Sequence, residues 1–357
     1  MYTIKIGGKT VYKLSLSTAG YVVISPRLAL EINKAGTLEF LIPDSNPSYA
    51  DCKTLSRNVK VYDDGTRIFN GWITNTNRNF YRQKLVHCEG DLAWLNDVAV
   101  RPYSYSNVTV RAYLEAMIAQ YNSAVSSSMQ MQVGIVDVTG NISRANNTYA
   151  TIWAEIEDKL IKKLGGFVIT RCAVENGNEV TYIDYRAQNA GGGNQKIRFG
   201  KNLIDLEDYI DAEDTYNTLV PLGALLDSQT GERLTIKSVN NDKDYLQNTV
   251  HSGQNGVIER VKIWDDITVA SNLKTEGQAD LDTATAQSQS ITISAVDLHL
   301  LDVNTDAFTL GKAYEVISHP HDMSGTYYPL VKINLPLANP EQAVYTFGKT
   351  KPTLTGG

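Results

Sequence analysis

Cysteine and histidine are the natural candidates for nucleophilic or metal chemistry, and the chain has three cysteines and five histidines. Cys52, Cys88 and Cys172 are odd in number and show no CxxC spacing, which argues against a disulfide framework and a thiolate zinc site. His87 and Cys88 are neighbours in a strand-like run, where consecutive side chains point to opposite faces. They are therefore not a base and nucleophile pair, and we interpret Cys88 as a buried, inert thiol.

The segment His319-Pro320-His321-Asp322 would bring two imidazoles and a carboxylate close to one another, as a metal site requires. It also contains a proline and lies between two apolar runs, where polar turn residues are expected in any case. We therefore predict a turn at this point and no metal site.

Other signatures of chemistry fail on spacing or context. Gly7–Thr10 ends like a phosphate-binding loop, but the first glycine of that motif would fall at Thr3, and a β-hairpin is the better prediction. Gly191–Gly193 lies between strand-like runs and predicts a flexible hairpin tip. Asp265 and Asp266 are predicted to be solvated turn residues. The sequence thus gives no catalytic, cofactor-binding or metal-binding residue, and we predict no cofactor and no enzyme.

The composition excludes several classes of protein. The chain has 357 residues, a net charge of −6, 42% hydrophobic and 20% charged residues, which is ordinary globular usage and favours two or three domains. It lacks a run of about 18 apolar residues and a secretory signal at its start. A pI near 5.5 argues against binding of nucleic acid through phosphate neutralisation. Its 20 tyrosines against 7 phenylalanines suit half-buried strands and wet interfaces.

Residues 1–97 are predicted to form a first β region. Leu38, Phe40 and Ile42 alternate within residues 37–42, which is the period of a strand. Asp63 and Asp64 precede a glycine and indicate a turn between two strands. Many short strands with few helical patterns are typical of a small barrel or sandwich.

Residues 98–198 are predicted to form an α+β domain with two helices. Thr109 is expected to cap the first helix, and Thr148 the second, which would end at Gly165-Gly166. Each helix has one apolar stripe at helical spacing, which we assign to core packing. The stripes are Val110, Leu114, Met117, Ile118 and Tyr121, and Ile152, Ile156, Leu160 and Leu164.

Residues 199–235 and 291–350 are predicted to form a second β region, interrupted by an insertion at 236–290. The insertion contains a helix that begins at Ser271 and runs toward Ser290. That helix has few large apolar residues, so we expect it to be exposed or to lie against a neighbouring subunit. After the insertion, the alternation of apolar residues changes parity near Ala295, which predicts a β-bulge.

A faint internal repeat connects the two β regions. A shift of 258 residues places Ile73 on Val331, Val86 on Val344 and Gly90 on Gly348. A shift of 255 lays residues 59–62 over residues 314–317. Because β-hairpins resemble one another, such matches arise easily by chance, and a duplication and a coincidence both remain open.

Six segments in order along the chain resemble prophage minor tail proteins, which form the hub of the siphophage tail tip. These proteins are often labelled tail-associated lysin or endopeptidase tail, and they are similar to the central baseplate hub of contractile phages. The segments are Phe69–Ile73, Cys88–Asp97, Arg101–Tyr103, Phe199–Leu203, Pro221–Ala224 and Ser294–Leu298.

The resemblance implies a mainly β, α+β fold: two related β-barrel domains with an α+β domain between them and an insertion in the second barrel. It also implies a homotrimer in the virion that caps the tail tube and adapts its sixfold symmetry to a threefold tip, because two similar surfaces per subunit match a hexameric ring. The implied partners are a distal tail or tube ring protein, the tape measure protein, and a tip fibre or receptor-binding protein. The chain would be made in the bacterial host cytoplasm.

The sequence departs from the lysin label because it ends at Gly357 without a peptidase signature, so we expect the enzymatic extension to be lost, trimmed or on another chain. Two other functions stay open. One is a cell-wall-degrading enzyme that uses carboxylates of the α+β domain, and the other is a carbohydrate-binding adhesion module whose tyrosines stack on sugars.

Overall fold

The computed structural model describes residues 1–187, 192–211, 215–265, 267–285, 288–302 and 304–348. The chain divides into two compact units. Unit 1 comprises Met1–Leu206 and the segment that begins at Ile293, and unit 2 comprises Glu207–Thr292. Strands predominate over helices, so the predicted mainly β class is confirmed. Among the described residues, no helix has both the length and the apolar character needed to cross a membrane.

The strands and helices are numbered in chain order. The strands are β1 (Tyr2–Ile6), β2 (Lys9–Lys13), β3 (Ile24–Glu31), β4 (Thr37–Ile42), β5 (Arg57–Asp63), β6 (Thr66–Arg78), β7 (Lys84–Gly90), β8 (Tyr103–Thr109), β9 (Gln132–Val136), β10 (Asn141–Asn146), β11 (Phe167–Glu175), β12 (Asn178–Arg186), β13 (Ile197–Arg198), β14 (Leu203–Asp211), β15 (Thr218–Leu222), β16 (Leu246–Gln247), β17 (Glu259–Ile263), β18 (Ser288–Ala295), β19 (Ala313–Ser318), β20 (Met323–Pro336) and β21 (Val344–Phe347). The helices are α1 (Val110–Ala124), α2 (Ile152–Ile156), α3 (Lys162–Leu164), α4 (Thr249–Asn255) and α5 (Ala270–Thr285), with a π-helical turn, Glu157–Ile161, between α2 and α3.

One large sheet joins the two ends of the chain within unit 1. Its order is β13-β19-β20-β3-β4-β7-β6-β5-β1-β2, and β21 branches from β20. All of these pairs are antiparallel except β13 with β19. Strand β3 lies between β20 and β4, so a strand from the start of the chain holds the last part of the chain in the sheet. The described pairs leave this sheet open between β2 and β13, and they do not close it into a barrel.

The first β region forms as its alternation predicts. Leu38, Phe40 and Ile42 on β4 are buried, and β7 lies beside them with Val86 and Cys88 buried on the same face. Burial of one side-chain face fixes the register, because a shift by one residue would expose all of these side chains. The turn between β1 and β2 has positive φ at both of its glycines, so the predicted hairpin at this point is confirmed.

Helix α1 is the centre of the middle segment. Thr109 accepts a hydrogen bond at its side-chain oxygen from the backbone N–H of Ala112 at 3.1 Å, which confirms the predicted N-cap. All five residues of the predicted apolar stripe are buried in one cluster. The small sheets β8–β10 and β9–β12–β11 lie in the same segment and contribute side chains to this cluster.

The second helix begins three residues later than predicted. The side chain of Thr151, not that of Thr148, accepts from the N–H of Ala154 at 3.1 Å. Thr148 instead donates its backbone N–H and its hydroxyl to the side-chain oxygen of Asn146, an alternative partner that competes with helix capping. The predicted end is confirmed, because Gly165 follows α3 with a φ of 72°.

Among the described residues, tyrosines make up most of the large, fully buried side chains that carry a polar atom. Tyr113, Tyr121 and Tyr185 are fully buried, and the last two donate their hydroxyls to backbone carbonyl oxygens, those of Met129 and Gly165. A buried tyrosine needs such an acceptor for its polar end. Much of the tyrosine excess therefore serves the core of unit 1, whereas the sequence favoured interfaces.

Unit 2 has its own small core. Strand β15 pairs with β16 and, in parallel, with β17, and α5 packs through Leu273 and Leu281, both fully buried. The helix was expected to be exposed or to lie against a neighbouring subunit, but these two leucines bury part of it in the core of its own unit. The helix ends at Thr285, and Ser288–Ala295 is a strand. Strand β15, expected in the second β region, lies in this unit, while the division into four domains remains a prediction.

The glycine-rich segment does not form the predicted hairpin tip. Gly191 lies outside the described residues, and the flanking strands β12 and β13 belong to different sheets. Gly192 instead forms a bridge with Ala313, and β13 runs parallel to β19. A Cβ atom on Gly193 would lie 2.0 Å from the ring of Tyr314, so close packing explains the glycine there.

The predicted bulge near Ala295 is the end of a strand. Strand β18 stops at Ala295, and the next N–H, of Val296, donates to the carbonyl oxygen of Asn202. The carboxylate of Asp297 then accepts from the N–H groups of His299 and Phe308 and holds a short 3₁₀ turn, Leu298–Leu300. The change of parity in the sequence reflects this turn.

Candidate functional site

The thiols lie where nucleophilic chemistry is disfavoured. Cys52 and Cys88 are free and buried, and burial raises the pKa of the Cys52 thiol to about 12 and that of Cys88 further still. His87 points to the other face of β7, where its ring lies 3.6 Å from the carboxylate of Glu39. The two neighbours therefore face apart, as the strand geometry predicts.

The histidine turn is a short 3₁₀ segment, His319–His321, between β19 and β20. The ring nitrogen Nδ1 of His321 lies 2.6 Å from the hydroxyl of Ser318, so this imidazole has a local structural partner. Throughout the described ranges of the chain, no three His, Cys, Asp or Glu side chains lie close enough together to hold a metal ion. Asp265 carries an ion pair to Arg233, and Asp266 lies outside the described residues.

Glu155, on helix α2, is a deeply buried carboxylate of the middle segment. It accepts hydrogen bonds from the hydroxyls of Tyr113, at 3.1 Å, and Tyr103, and from the side-chain amide of Asn146. The two tyrosine hydroxyls are 2.7 Å apart. Three donors thus occupy the carboxylate, which connects α1, α2, β8 and β10 as a structural link.

Two other buried carboxylates hold strands together in the same way. Asp184 accepts from the N–H of Ile135 at 2.7 Å and from the guanidinium of Arg171 at 2.6 Å, and so ties β9 to β12 and β11. Asp91 accepts from the hydroxyl of Thr170 at 2.7 Å and from the amide of Asn70 at 3.2 Å. These carboxylates are engaged by fixed donors and link segments that are distant in the sequence.

The stability of the wild type is expected to fall as the pH rises, and Asp91→Asn is expected to make this fall smaller. Burial raises the pKa of Asp91 above its ordinary value of 3.8, against the opposing hydrogen bonds from Thr170 and Asn70. Between 3.8 and the raised pKa the folded chain binds more protons than the unfolded chain, so its stability falls as pH rises. Urea unfolding at a series of pH values measures this. Parallel pH profiles for the wild type and the variant would contradict it.

A cavity of about 740 Å³ lies within unit 1. Its lining combines apolar residues of β6, β11 and the segment before β19, such as Phe69, Phe167 and Phe308, with charged groups. Two of the charged groups are paired: Arg67 donates to Glu179 at 3.0 Å, and Arg171 contacts Asp184. Asp91 and Asp184, whose hydrogen-bond donors are described above, also line the cavity.

The two β regions share one pattern of strand pairing. Strands β5, β6 and β7 form an antiparallel meander, and so do β19, β20 and β21. Each long central strand pairs with the preceding strand through its first half and with the following strand through its second half. The change occurs at Gly71-Trp72 in β6 and at Pro329-Leu330 in β20, positions separated by 258 residues.

The register of the second half agrees as well. Trp72 pairs with Glu89, and Leu330 pairs with Phe347. Each residue of the second pair lies 258 positions after its counterpart in the first pair, which is the predicted shift. Both central strands have an irregularity one or two residues after this pair. The buried faces differ, however: Val86 is buried, whereas its counterpart Val344 is 40% exposed. In the first half, Val59 pairs with Gly71 and Ala313 with Pro329, a shift of 254 in place of the predicted 255.

The turn between β6 and β7 presents aromatic residues to solvent. We call residues 79–83 the aromatic tip: Phe80 is 93% and Tyr81 76% exposed, with ring centroids 5.6 Å apart. The side-chain oxygen of Asn79 accepts from the N–H groups of Tyr81 and Gln83, each at 3.0 Å. Arg82 forms an ion pair with Asp44 at 3.1 Å. The tip is therefore ordered without a covering partner in the described chain.

Residues 192–356 match the model of a family described as prophage endopeptidase tail. Among curated proteins, none matches the sequence. The resemblance to prophage tail proteins is confirmed by this match together with the fold.

Three solved structures share the fold. The 43 kDa tail protein of prophage MuSo2 from Shewanella oneidensis is 13% identical, with a TM-score of 0.62 over 98% of both chains. The tail protein from Neisseria meningitidis MC58 is 11% identical, with a TM-score of 0.63 over 98% of this chain and 96% of that one. Prophage tail protein gp18 from Listeria monocytogenes EGD-e is 13% identical, with a TM-score of 0.54 over 92% and 89%. These matches show that the chain shares the fold of prophage tail proteins.

Proposed function

We propose that this chain, which shares its fold with prophage tail proteins, is the hub of a phage tail tip. Three copies form a ring that closes the tail tube and adapts its sixfold symmetry to a threefold tip, and the ring is part of the virion. The observation that carries the proposal is the pair of three-stranded meanders with the same change of partner in one sheet.

The repeated meander is relevant because the tail tube and the tip differ in symmetry. A hexameric tube ring presents one surface at six positions, and a trimer with one contact surface per subunit would fill only half of them. Two similar β surfaces per subunit fill all of them. We propose that β5–β7 and β19–β21 belong to two related β-barrel domains, at 1–97 and at 199–235 with 291–350, with the α+β domain 98–198 between them and 236–290 as the insertion.

The partners follow from this position. The ring would bind the distal tail or tube ring protein on one side and a tip fibre or receptor-binding protein on the other, and it would contact the tape measure protein along the axis. The net charge of −6 suits a ring that DNA passes through without binding, because an acidic wall repels the phosphate backbone.

We propose a structural protein and not a peptidase, although the name of the matching family includes the word endopeptidase. Glu155, Asp184 and Asp91 are engaged by fixed donors, and burial raises the pKa of the Cys52 thiol to about 12. Groups held in this way support the fold and are not available as an acid, a base or a nucleophile.

Light scattering on the purified chain, followed by electron microscopy with the tube ring protein, tests the proposal. We expect a trimer in solution and a threefold ring seated on the sixfold tube. A monomer that does not bind the tube ring would contradict it. Zymography on cell walls and a glycan array test the two alternatives: clearing that is lost in Glu155→Gln would indicate an enzyme, and glycan binding by a monomer would indicate an adhesion module.

A further inference from the structure

The aromatic tip differs from its counterpart in the second meander. The turn between β20 and β21 consists of residues 337–343 and contains no aromatic side chain. A shift of 258 places Ala338 and Asn339, both exposed, at the positions of Phe80 and Tyr81. The two meanders share their strand pairing, so the aromatic pair is a feature of one of them only.

The tip has the properties of a protein contact. Phe and Tyr bury about 150–250 Å² each when they are covered, and aromatic residues are enriched among the anchors of interfaces. The bonds from Asn79 already fix the backbone, and Arg82 holds a left-handed conformation with a φ of 61°. Little conformational freedom is therefore lost when a partner covers the rings.

The charge of the tip indicates an acidic partner. Arg78 and Arg82 flank the two rings and are exposed, and Asp44 neutralises one of them in part. The chain as a whole carries a net charge of −6, so a second copy is an acidic partner on average.

We propose that the aromatic tip contacts a second copy of this chain and is not part of the surface that meets the tube. This inference rests on the proposed ring. A sixfold partner would meet both meanders alike, whereas a contact made by one meander alone recurs three times. In a trimeric ring each copy has a neighbouring copy, so this contact would occur three times. A head-to-tail contact that is repeated by a threefold rotation closes into a ring.

Sedimentation of the full chain over a range of concentrations tests the inference with Phe80→Ser/Tyr81→Ser. The matched control is Ala338→Ser/Asn339→Ser on the other turn. We expect the double variant to raise the concentration of half-assembly by at least about tenfold, since anchor residues dominate an interface. The control is expected to assemble like the wild type. Both variants should unfold at the wild-type midpoint, because the changed side chains are exposed.

The possible outcomes separate the inference from the proposed function. A trimer that is unaffected by the double variant would overturn the inference and leave the hub intact. A wild-type chain that remains monomeric at all concentrations would count against both. Binding of the wild type, but not the double variant, to vesicles or glycans without a change in assembly would also overturn the inference, since the tip would then have a different partner.

Discussion

Gly90→Ala is expected to destabilise unit 1 by about 3 kcal/mol or more. A Cβ atom at this position would lie 1.7 Å from the carbonyl oxygen of Ala35, and the N–H of Gly90 donates to the oxygen of Gly36 at 3.0 Å. The obstacle, the carbonyl group of Ala35, belongs to the backbone, so no side-chain rotation can relieve the contact. Since φ at Gly90 is −73°, the cost comes from the contact and not from a conformation that only glycine adopts. Urea unfolding measures it.

Gly253→Ala is the matched control, because it adds the same methyl group in open space. Gly253 lies in helix α4, and no heavy atom comes within 4 Å of the added Cβ. Alanine has the higher helix propensity, so we expect no loss, or a gain of about 0.5–1 kcal/mol. If Gly90→Ala unfolded at the same urea concentration as the control, the close approach of β7 to the segment before β4 would be wrong.

Glu155→Ala is expected to destabilise unit 1 by about 3–5 kcal/mol. The carboxylate is an acceptor for Tyr113, Tyr103 and Asn146 in a site that is 1% exposed at Glu155. Its removal leaves these donors without that acceptor and leaves a cavity between α1 and α2. In the wild type, burial raises the pKa of both tyrosines, so both hydroxyls keep the protons that they donate.

Glu155→Gln is the control for this change, because it keeps the volume and one carbonyl acceptor. We expect it to cost about 1–2 kcal/mol, since hydrogen bonds to a charged group are replaced by neutral ones. Equal unfolding midpoints for the alanine and glutamine variants would show that the hydrogen bonds do not contribute. An enzyme would give a different pattern, in which Glu155→Gln unfolds like the wild type but loses its activity.

Local patterns were sufficient for the elements that bury one face. The stripe of α1 and the alternation of β4 both lie in the core as predicted, because burial of one side acts on neighbouring residues and leaves its period in the sequence. The cap of the second helix was misplaced for a local reason: Thr148 and Thr151 are equally good capping residues, and only the position of Asn146 distinguishes them.

Long-range pairing could not be predicted from such patterns. Strand β13 pairs with β19 and not with β12, and β15 pairs with strands of the insertion. No pattern within the residues of β13 or β15 identifies the strand with which it pairs. The buried carboxylates were missed for the same reason. Asp91, Asp184 and Glu155 look like any polar residue in the sequence, and the donors that surround them come from distant segments.

The place of β3 in the large sheet sets the order in which the chain can fold during synthesis. Residues 24–31 leave the ribosome early, but one of their two neighbours, β20, begins about 300 residues later, which corresponds to about 15–60 s of translation. For that time one edge of β3 has no partner, and an open edge invites pairing with other nascent chains. Strand β4, which follows directly, can cover only the other edge. The yield of folded protein should therefore depend on how fast the last strands are made.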